Sequence, residues 1–443
     1  MSVRGLLVAI VVLGVLAGGV YWSERSKSAE EAKESSGGAS KLVSIKDEDV
    51  RKVELRRRAG ASPVVVERDK ANEWRMSSPE PWRVDQSAAG GVATTYTGLS
   101  YDRVIEEKAA DLSGYGLQTP AVELTVTARD GKSRKLLIGD ETPTGTASYA
   151  KFADDPRVFT IENSTKSQLD KTAQDLRDKR LLIFEADKLA RVELTAKGQM
   201  IEFGRNAQKD WQIVKPKPQR ADNGQVEELV RKLGEARMDT SLPAEEAAKI
   251  PASFASSPRV ATAAVTDSAG TQTIEVRKRG EEYYARSSAL QGTFKIPADV
   301  GAGLNKGIDD FQNKKIFDFG FNDPTAVDLR DEAKTYSLRK SGETWSSNGK
   351  SMDATSVQSL IDKLRDLKAT QVRDTGFTSS VIDITVTSDS GKRVEKVAIS
   401  KAGDKFFAKR EGEPSVYELD SKAVEEIQRA AADVKEPPPP AKK

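Results

Sequence analysis

The segment WRMSSPEPWRVD, Trp74 to Asp85, returns as WQIVKPKPQRAD, Trp211 to Asp222. Trp74 aligns with Trp211, Pro79 with Pro216, Pro81 with Pro218, Arg83 with Arg220 and Asp85 with Asp222. Every pair is 137 residues apart, with no gap. A chain that repeats a tryptophan, two prolines and an aspartate in fixed register builds the same unit more than once. A tandem array is therefore expected, not one large core. A third copy, TWSSNGKSMDATSV, keeps Trp345 and Asp353 and has lost the prolines between them.

The repeat runs on past the motif. Tyr149-Ala150-Lys151, Tyr284-Ala285-Arg286 and Phe407-Ala408-Lys409 correspond, and ten residues after each first aromatic stands Phe159, Phe294 or Tyr417. The first two copies also close alike, in DLRDKRLLIF (175–184) and DFQNKKIFDF (310–319). Three modules follow, at 48–184, 185–317 and 318–434, each of ordinary domain size. Trp345 follows Trp211 by 134 residues but Phe407 follows Tyr284 by only 123, so the third module is shortened by about eleven in its middle.

Within a module, RKVELRRR and PVVVERD read as a strand pair leading to Trp74, which is expected to end a strand and pack between sheet and helix. The prolines hold an extended connection. The aspartate then opens a helix, its carboxylate accepting from the free N–H groups of the first turn. After Asp222, Val226, Leu229, Val230 and Leu233 share one helical face; after Asp353, Val357, Leu360, Ile361 and Leu364 do the same. Alternating strands and a second amphipathic helix complete the module. The expected class is α+β: three tandem modules, each a mainly antiparallel sheet with two amphipathic helices, behind an N-terminal transmembrane helix.

That helix is GLLVAIVVLGVLAGGVYW, residues 5–22, an uncharged apolar run that would rise about 27 Å and span a bilayer core. It reads as a retained anchor with the bulk of the chain outside the cytoplasm. A cleaved signal peptide, with Ala17 and Gly19 before the cut, is the rival reading. Residues 23–47 read as a charged, flexible tether, of which 23–41 reach about 25 Å, and 435–443 as a proline-rich tail.

Composition removes whole classes of chemistry. With no histidine and no cysteine, imidazole acid–base catalysis, thiol nucleophiles and the usual zinc, haem and iron–sulfur ligand sets are absent. Seventy basic against 68 acidic residues leave a charge of +2, without the clustered basic excess of a nucleic-acid binder. GDETPTGTAS (139–148) follows a strand but has Thr146 where a phosphate loop needs lysine, and reads as a turn. The acidic pairs Asp154-Asp155 and Asp309-Asp310, and the run Asp47-Glu48-Asp49, lack the alternating spacing of an EF-hand loop and read as solvated. No catalytic, cofactor-binding or metal residue is assigned and no cofactor is expected. Trp82 and Tyr101 are the candidate ligand contacts, for sugar or peptide; Gln219 replaces Trp82 in the second copy.

Strand–Trp–Pro–Asp–helix, followed by YGLQTPAVELTV (115–126), LLIG (136–139) and SYAKF (148–152), resembles the bacterial domain-of-unknown-function family numbered 4340. Module one matches throughout. Module two carries FASSPRVATAAV (254–265) in place of the Tyr-Gly-Leu signature, and module three keeps the Trp, the Asp and the later aromatics. The resemblance implies a membrane-anchored protein without assigned catalytic residues, associated with ABC-exporter components like those of gliding motility. The expected function is a non-enzymatic, single-pass inner-membrane scaffold with its bulk in the periplasm, whose partners are envelope or ABC-exporter proteins. A cell-wall or carbohydrate binding protein is the alternative, and an oxygen-ligand metal hydrolase the third reading.

Overall fold

The computed structural model describes residues 42–58, 62–321, 324–332 and 334–438. The apolar run 5–22, the first part of the charged stretch (23–41) and the end of the tail (439–443) lie outside these described residues. Residues 42–47, at the end of the stretch read as a tether, pack on module one: the Leu42 N–H donates to the Leu99 carbonyl at 3.0 Å and Val43 is buried. Among the described residues no helix is long and apolar enough to cross a membrane. The chain divides into two compact units, 1–179 and 180–443.

The first unit holds strands β1 (Val50–Arg57), β2 (Val64–Arg68), β3 (Trp74–Ser78), β4 (Arg103–Glu106), β5 (Val122–Ala128), β6 (Ser133–Glu141), β7 (Ala147–Phe152) and β8 (Val158–Glu162). They form one sheet in the order β3-β2-β1-β5-β6-β7-β8-β4. β1 to β3 run as a meander. The chain then crosses through helix α1 (Gln86–Thr97), and β5 returns to the open side of β1, antiparallel, with Leu55 opposite Leu124 and Val53 opposite Val126. The period-two pattern fixes which face is covered: Val122, Leu124, Val126 and Ala128 of β5 are buried while the residues between them are only partly so. Helices α2 (Asn163–Leu169) and α3 (Ala173–Leu176) close the unit.

The second unit contains two sheets. Strands β9 (Arg191–Ala196), β10 (Gln199–Arg205), β11 (Trp211–Lys215), β12 (Gln219–Arg220), β13 (Arg259–Asp267), β14 (Gly270–Arg279), β15 (Glu282–Ser287) and β16 (Thr293–Ile296) run in the order β12-β11-β10-β9-β13-β14-β15-β16. Its helices are α4 (Asn223–Glu235), the short α5 (Ala244–Ala247) and α6 (Ile250–Ser256), and α7 (Ala298–Gly303). The third sheet uses β17 (Ala326–Asp331), β18 (Lys334–Ser341), β19 (Thr344–Ser347), β20 (Lys350–Ser351), β21 (Ala369–Arg373), β22 (Ser380–Ser388), β23 (Arg393–Ala402), β24 (Lys405–Arg410) and β25 (Val416–Leu419), in the order β20-β19-β18-β17-β22-β23-β24-β25-β21. Helices α8 (Ala354–Asp366) and α9 (Ser421–Ala432) pack with it. The closure that joins β5 to β1 recurs, antiparallel, as β13 on β9 and β22 on β17.

The fold is α+β, mostly antiparallel sheet, with one hydrophobic core per sheet; Trp74, Trp211 and Trp345 are each buried in a different core. Two expectations need correction. The tryptophan opens the third strand and does not end the second, because a turn at Asp69–Asn72 reverses the chain just before it. The second helix of each module is uneven: α2 and α3 are separate short pieces, α7 has six residues, and only α9 is a full amphipathic helix of twelve.

The caps stand where the aspartates put them. Asp85 accepts from the Ser87 and Ala88 amides, Asp222 from Gln225 and Asp353 from Ser356. The four apolar residues named on each of α4 and α8 are all buried. Replacing Asp222 with alanine is expected to cost about 1 kcal/mol, since one first-turn N–H loses its acceptor. Urea unfolding of Asp222→Ala beside Asp222→Asn, which keeps an acceptor oxygen, checks this.

Candidate functional site

The repeated motif is built the same way twice. Before the tryptophan, Asp69 Oδ1 accepts from the Ala71 and Glu73 amides at 2.8 and 3.1 Å; Asn206 Oδ1 does so for Gln208 and Asp210 at 3.0 and 2.9 Å. Each such side chain closes its own turn. Arg68 lies over the Trp74 ring at 4.7 Å and Arg205 over Trp211 at 4.1 Å. The first residue of each helix then clamps the strand. Gln86 Oε1 accepts the Trp74 N–H at 2.7 Å, and Asn223 Oδ1 accepts that of Trp211 at 2.6 Å. The amide after each aspartate was a readable signal that the motif alignment leaves unused. Module three has Ala354 there, and a tight β19–β20 hairpin replaces the proline connection.

The connection itself carries a cis peptide bond in both copies, Ser78–Pro79 and Lys215–Pro216. The chain returning from the end of the module pairs with it. The Asp85 N–H donates to Leu176 and the Asp178 N–H to Arg83; equivalently, Asp222 donates to Phe311 and Asn313 to Arg220. In the first unit Arg177 covers one face of Trp82 at 4.3 Å, and Arg83 pairs with the buried Asp178 at 2.9 Å. Tyr101 sits apart from that stack, beside Phe159 at 6.3 Å, and both candidate aromatics are half-buried against the core. In the second unit the positions of Trp82 and Arg177 are taken by Gln219 and Gln312, hydrogen-bonded to each other at 3.1 Å.

Beside this second connection lies a cleft of about 260 Å³. Pro216, Pro218 and Gln219 line one side and Val372, Asp374 and Pro414 another. Lys217 reaches Asp374 at 2.6 Å, an exposed ion pair joining module two to module three. β21 is the last strand of its sheet, so Val372 stands on an edge.

Ile316 and Phe317 are buried in the core of the third sheet, and a mostly buried set of charges next to the cleft ties the two modules further. Arg220 of module two chelates Asp318 at 2.8 and 3.0 Å, meets Glu413 at 3.1 Å and donates to the Lys315 carbonyl. Arg410 pairs with the same Asp318 at 3.0 Å and the same Glu413 at 2.9 Å, touches Glu395 at 3.3 Å and donates to the Ile316 carbonyl at 2.6 Å. The Tyr417 hydroxyl donates to Glu413 at 2.7 Å. Burial alone would draw the Arg220 guanidinium down; Tyr417, Asp318 and Glu413 outweigh it and hold it above the ordinary arginine value. Burial pushes the Tyr417 hydroxyl up to about 12.

Two arginines thus face three carboxylates, and Glu395 is the one that gives way. Its side chain is 5% exposed, one oxygen has no partner among the described residues, and burial raises its pKa despite the Asp318 N–H and Arg410. With a folded pKa above the unfolded one, its contribution is fully present below the ordinary glutamate range and lost as pH rises through the raised value. Stability of the second unit is therefore expected to fall between acid and neutral pH by more in the wild type than in Glu395→Gln. Urea midpoints taken across that range check the difference.

The acidic runs do not converge: among the described residues no three acidic side chains form a metal-binding group. Asp154 pairs with Arg134, Asp310 accepts the Gly307 N–H, and Asp155, hydrogen-bonded to Arg157, is lowered to about 2. The Gly139–Ser148 stretch is the end of β6, a turn over 142–146 with Gly145 at φ 70°, and the start of β7.

The family model for a domain of unknown function, DUF4340, matches residues 74–255 and again 211–382. The chain belongs to the DUF4340 family. Both matches begin on the tryptophan that opens a third strand, Trp74 and Trp211. The first DUF4340 match runs on through the second motif to Ala255, which is why the two overlap over 211–255. No curated protein matches the chain.

Proposed function

We propose that this DUF4340 protein is a non-enzymatic accessory protein of the bacterial inner membrane. Residues 5–22 anchor it, its modules stand on the periplasmic side, and they hold partner proteins of an ABC-type exporter or gliding-motility-like envelope complex. The observation that supports this reading best is the cleft between modules two and three. Its walls are a proline connection and a sheet edge, and the Arg220 charge cluster holds both in one position. A rigid groove with prolines on one side and a strand edge on the other suits an extended segment of another protein, because main-chain hydrogen bonds at an edge add to apolar packing on proline rings. Preset walls lower the ordering cost of such binding.

The test is site-specific photo-crosslinking in the native membrane. A probe at Val372 is expected to give a discrete adduct with an envelope or exporter subunit. The same probe at Val394, exposed on the same sheet but outside the cleft lining, is expected to give none. Equal labelling from both positions, or none from Val372, counts against the cleft as the partner-binding surface.

A further inference from the structure

A second cavity, of about 560 Å³, lies at the turn end of module two's sheet, with a lining unlike that of the cleft. It is formed by the β9–β10 turn with Lys197 and Gly198, the start of β13 with Arg259, the end of β14 with Lys278, and Asn305 after α7. Three cations line it and no acid does. Their neutralisation from outside is weak. Lys197 meets Asp310 at 3.6 Å and Lys278 meets Glu281 at 3.7 Å, with the Glu281 side chain 96% exposed. Exposed pairs at such distances hold little energy. Arg259 has no acidic partner among the described residues, whereas its cross-strand neighbour Arg277 is taken by Glu275 at 2.7 Å.

Module three does not share this turn. The equivalent turn of module three, between β17 and β18, carries Asp331 and Glu332, and Asp331 accepts from Gln428.

We propose that this pocket is a phosphate-binding site. Like charges held in one concavity raise the local concentration of anions. A phosphate dianion balances two of the three cations where a carboxylate balances one. A guanidinium fork beside two ammonium groups also supplies both the bidentate and the point-charge donors that phosphate oxygens accept. The Asn305 amide adds a neutral donor. A free phosphate and a phospholipid headgroup share this chemistry.

Isothermal titration of the full-length protein in uncharged detergent tests it, with inorganic pyrophosphate as probe and acetate as control. Saturable one-site binding of pyrophosphate is expected, weakened about tenfold or more by Arg259→Gln and by Lys278→Gln. Acetate at equal concentration should give no saturable binding. Dihexanoyl phosphatidic acid against dihexanoyl phosphatidylcholine separates the sources. Binding of both pyrophosphate and the phosphatidic acid supports the phosphate group itself; binding of the phosphatidic acid alone supports a lipid headgroup. No saturable binding of either, or binding unchanged in both variants with unaltered thermal transitions, overturns the proposal.

Discussion

Replacing Arg220 with alanine is expected to destabilise the unit 180–443 by about 3–5 kcal/mol, the range found when one partner of a buried pair is removed. Its side chain is 14% exposed, so solvent screening offsets little of this. The loss comes less from the pairs broken than from the charges left behind. Of the two guanidinium groups only Arg410 would remain for Asp318 and Glu413, with the Tyr417 hydroxyl still on Glu413, and the Lys315 carbonyl would lose its guanidinium donor. Hydrogen exchange under urea reads the effect: amides of β9–β25 should lose protection while those of β1–β8 keep theirs. A loss of about 1 kcal/mol or less would mean that Arg410 alone satisfies the cluster.

Trp211→Ala carries the second large effect, a further about 3–5 kcal/mol in the same unit. The ring is fully buried between sheet and helix, so truncation leaves a cavity that rigid neighbours fill only in part. Arg205, stacked on it, would also lose the surface it lies on. Trp211→Phe should cost much less, because it keeps most of the packing and removes an indole N–H that has no partner among the described residues. Trp82→Ala, at a half-buried site whose ring is covered by Arg177, should cost less than Trp211→Ala. Denaturant midpoints of the three variants give the ranking; equal losses for Trp82 and Trp211 would contradict it.

What could be read from the sequence was local. Asp85, Asp222 and Asp353 cap helices because a cap needs only residues two or three positions on, and the apolar stripes of α4 and α8 need only a helical period. The place of the tryptophan is not legible, because Asp69, a short side chain that binds its own backbone, looks in sequence like any other charged residue of a charged stretch. The charge cluster was not legible at all. Arg220 stood out in the repeat, yet its partners lie 98 residues away at Asp318 and 197 away at Tyr417, and no spacing rule connects them. The cleft depends on the same long-range meeting of two modules, and the basic pocket gathers residues from a turn, a strand start and a strand end that are unremarkable one by one.

The central claim is that these modules serve partner proteins at the membrane. Mild-detergent affinity purification of the full-length protein from its native membrane, read by mass spectrometry, tests it most directly. The account predicts an ABC permease and its ATPase recovered in fixed ratio with the protein. Recovery of the protein alone, from a membrane shown to express the transporter, would contradict it.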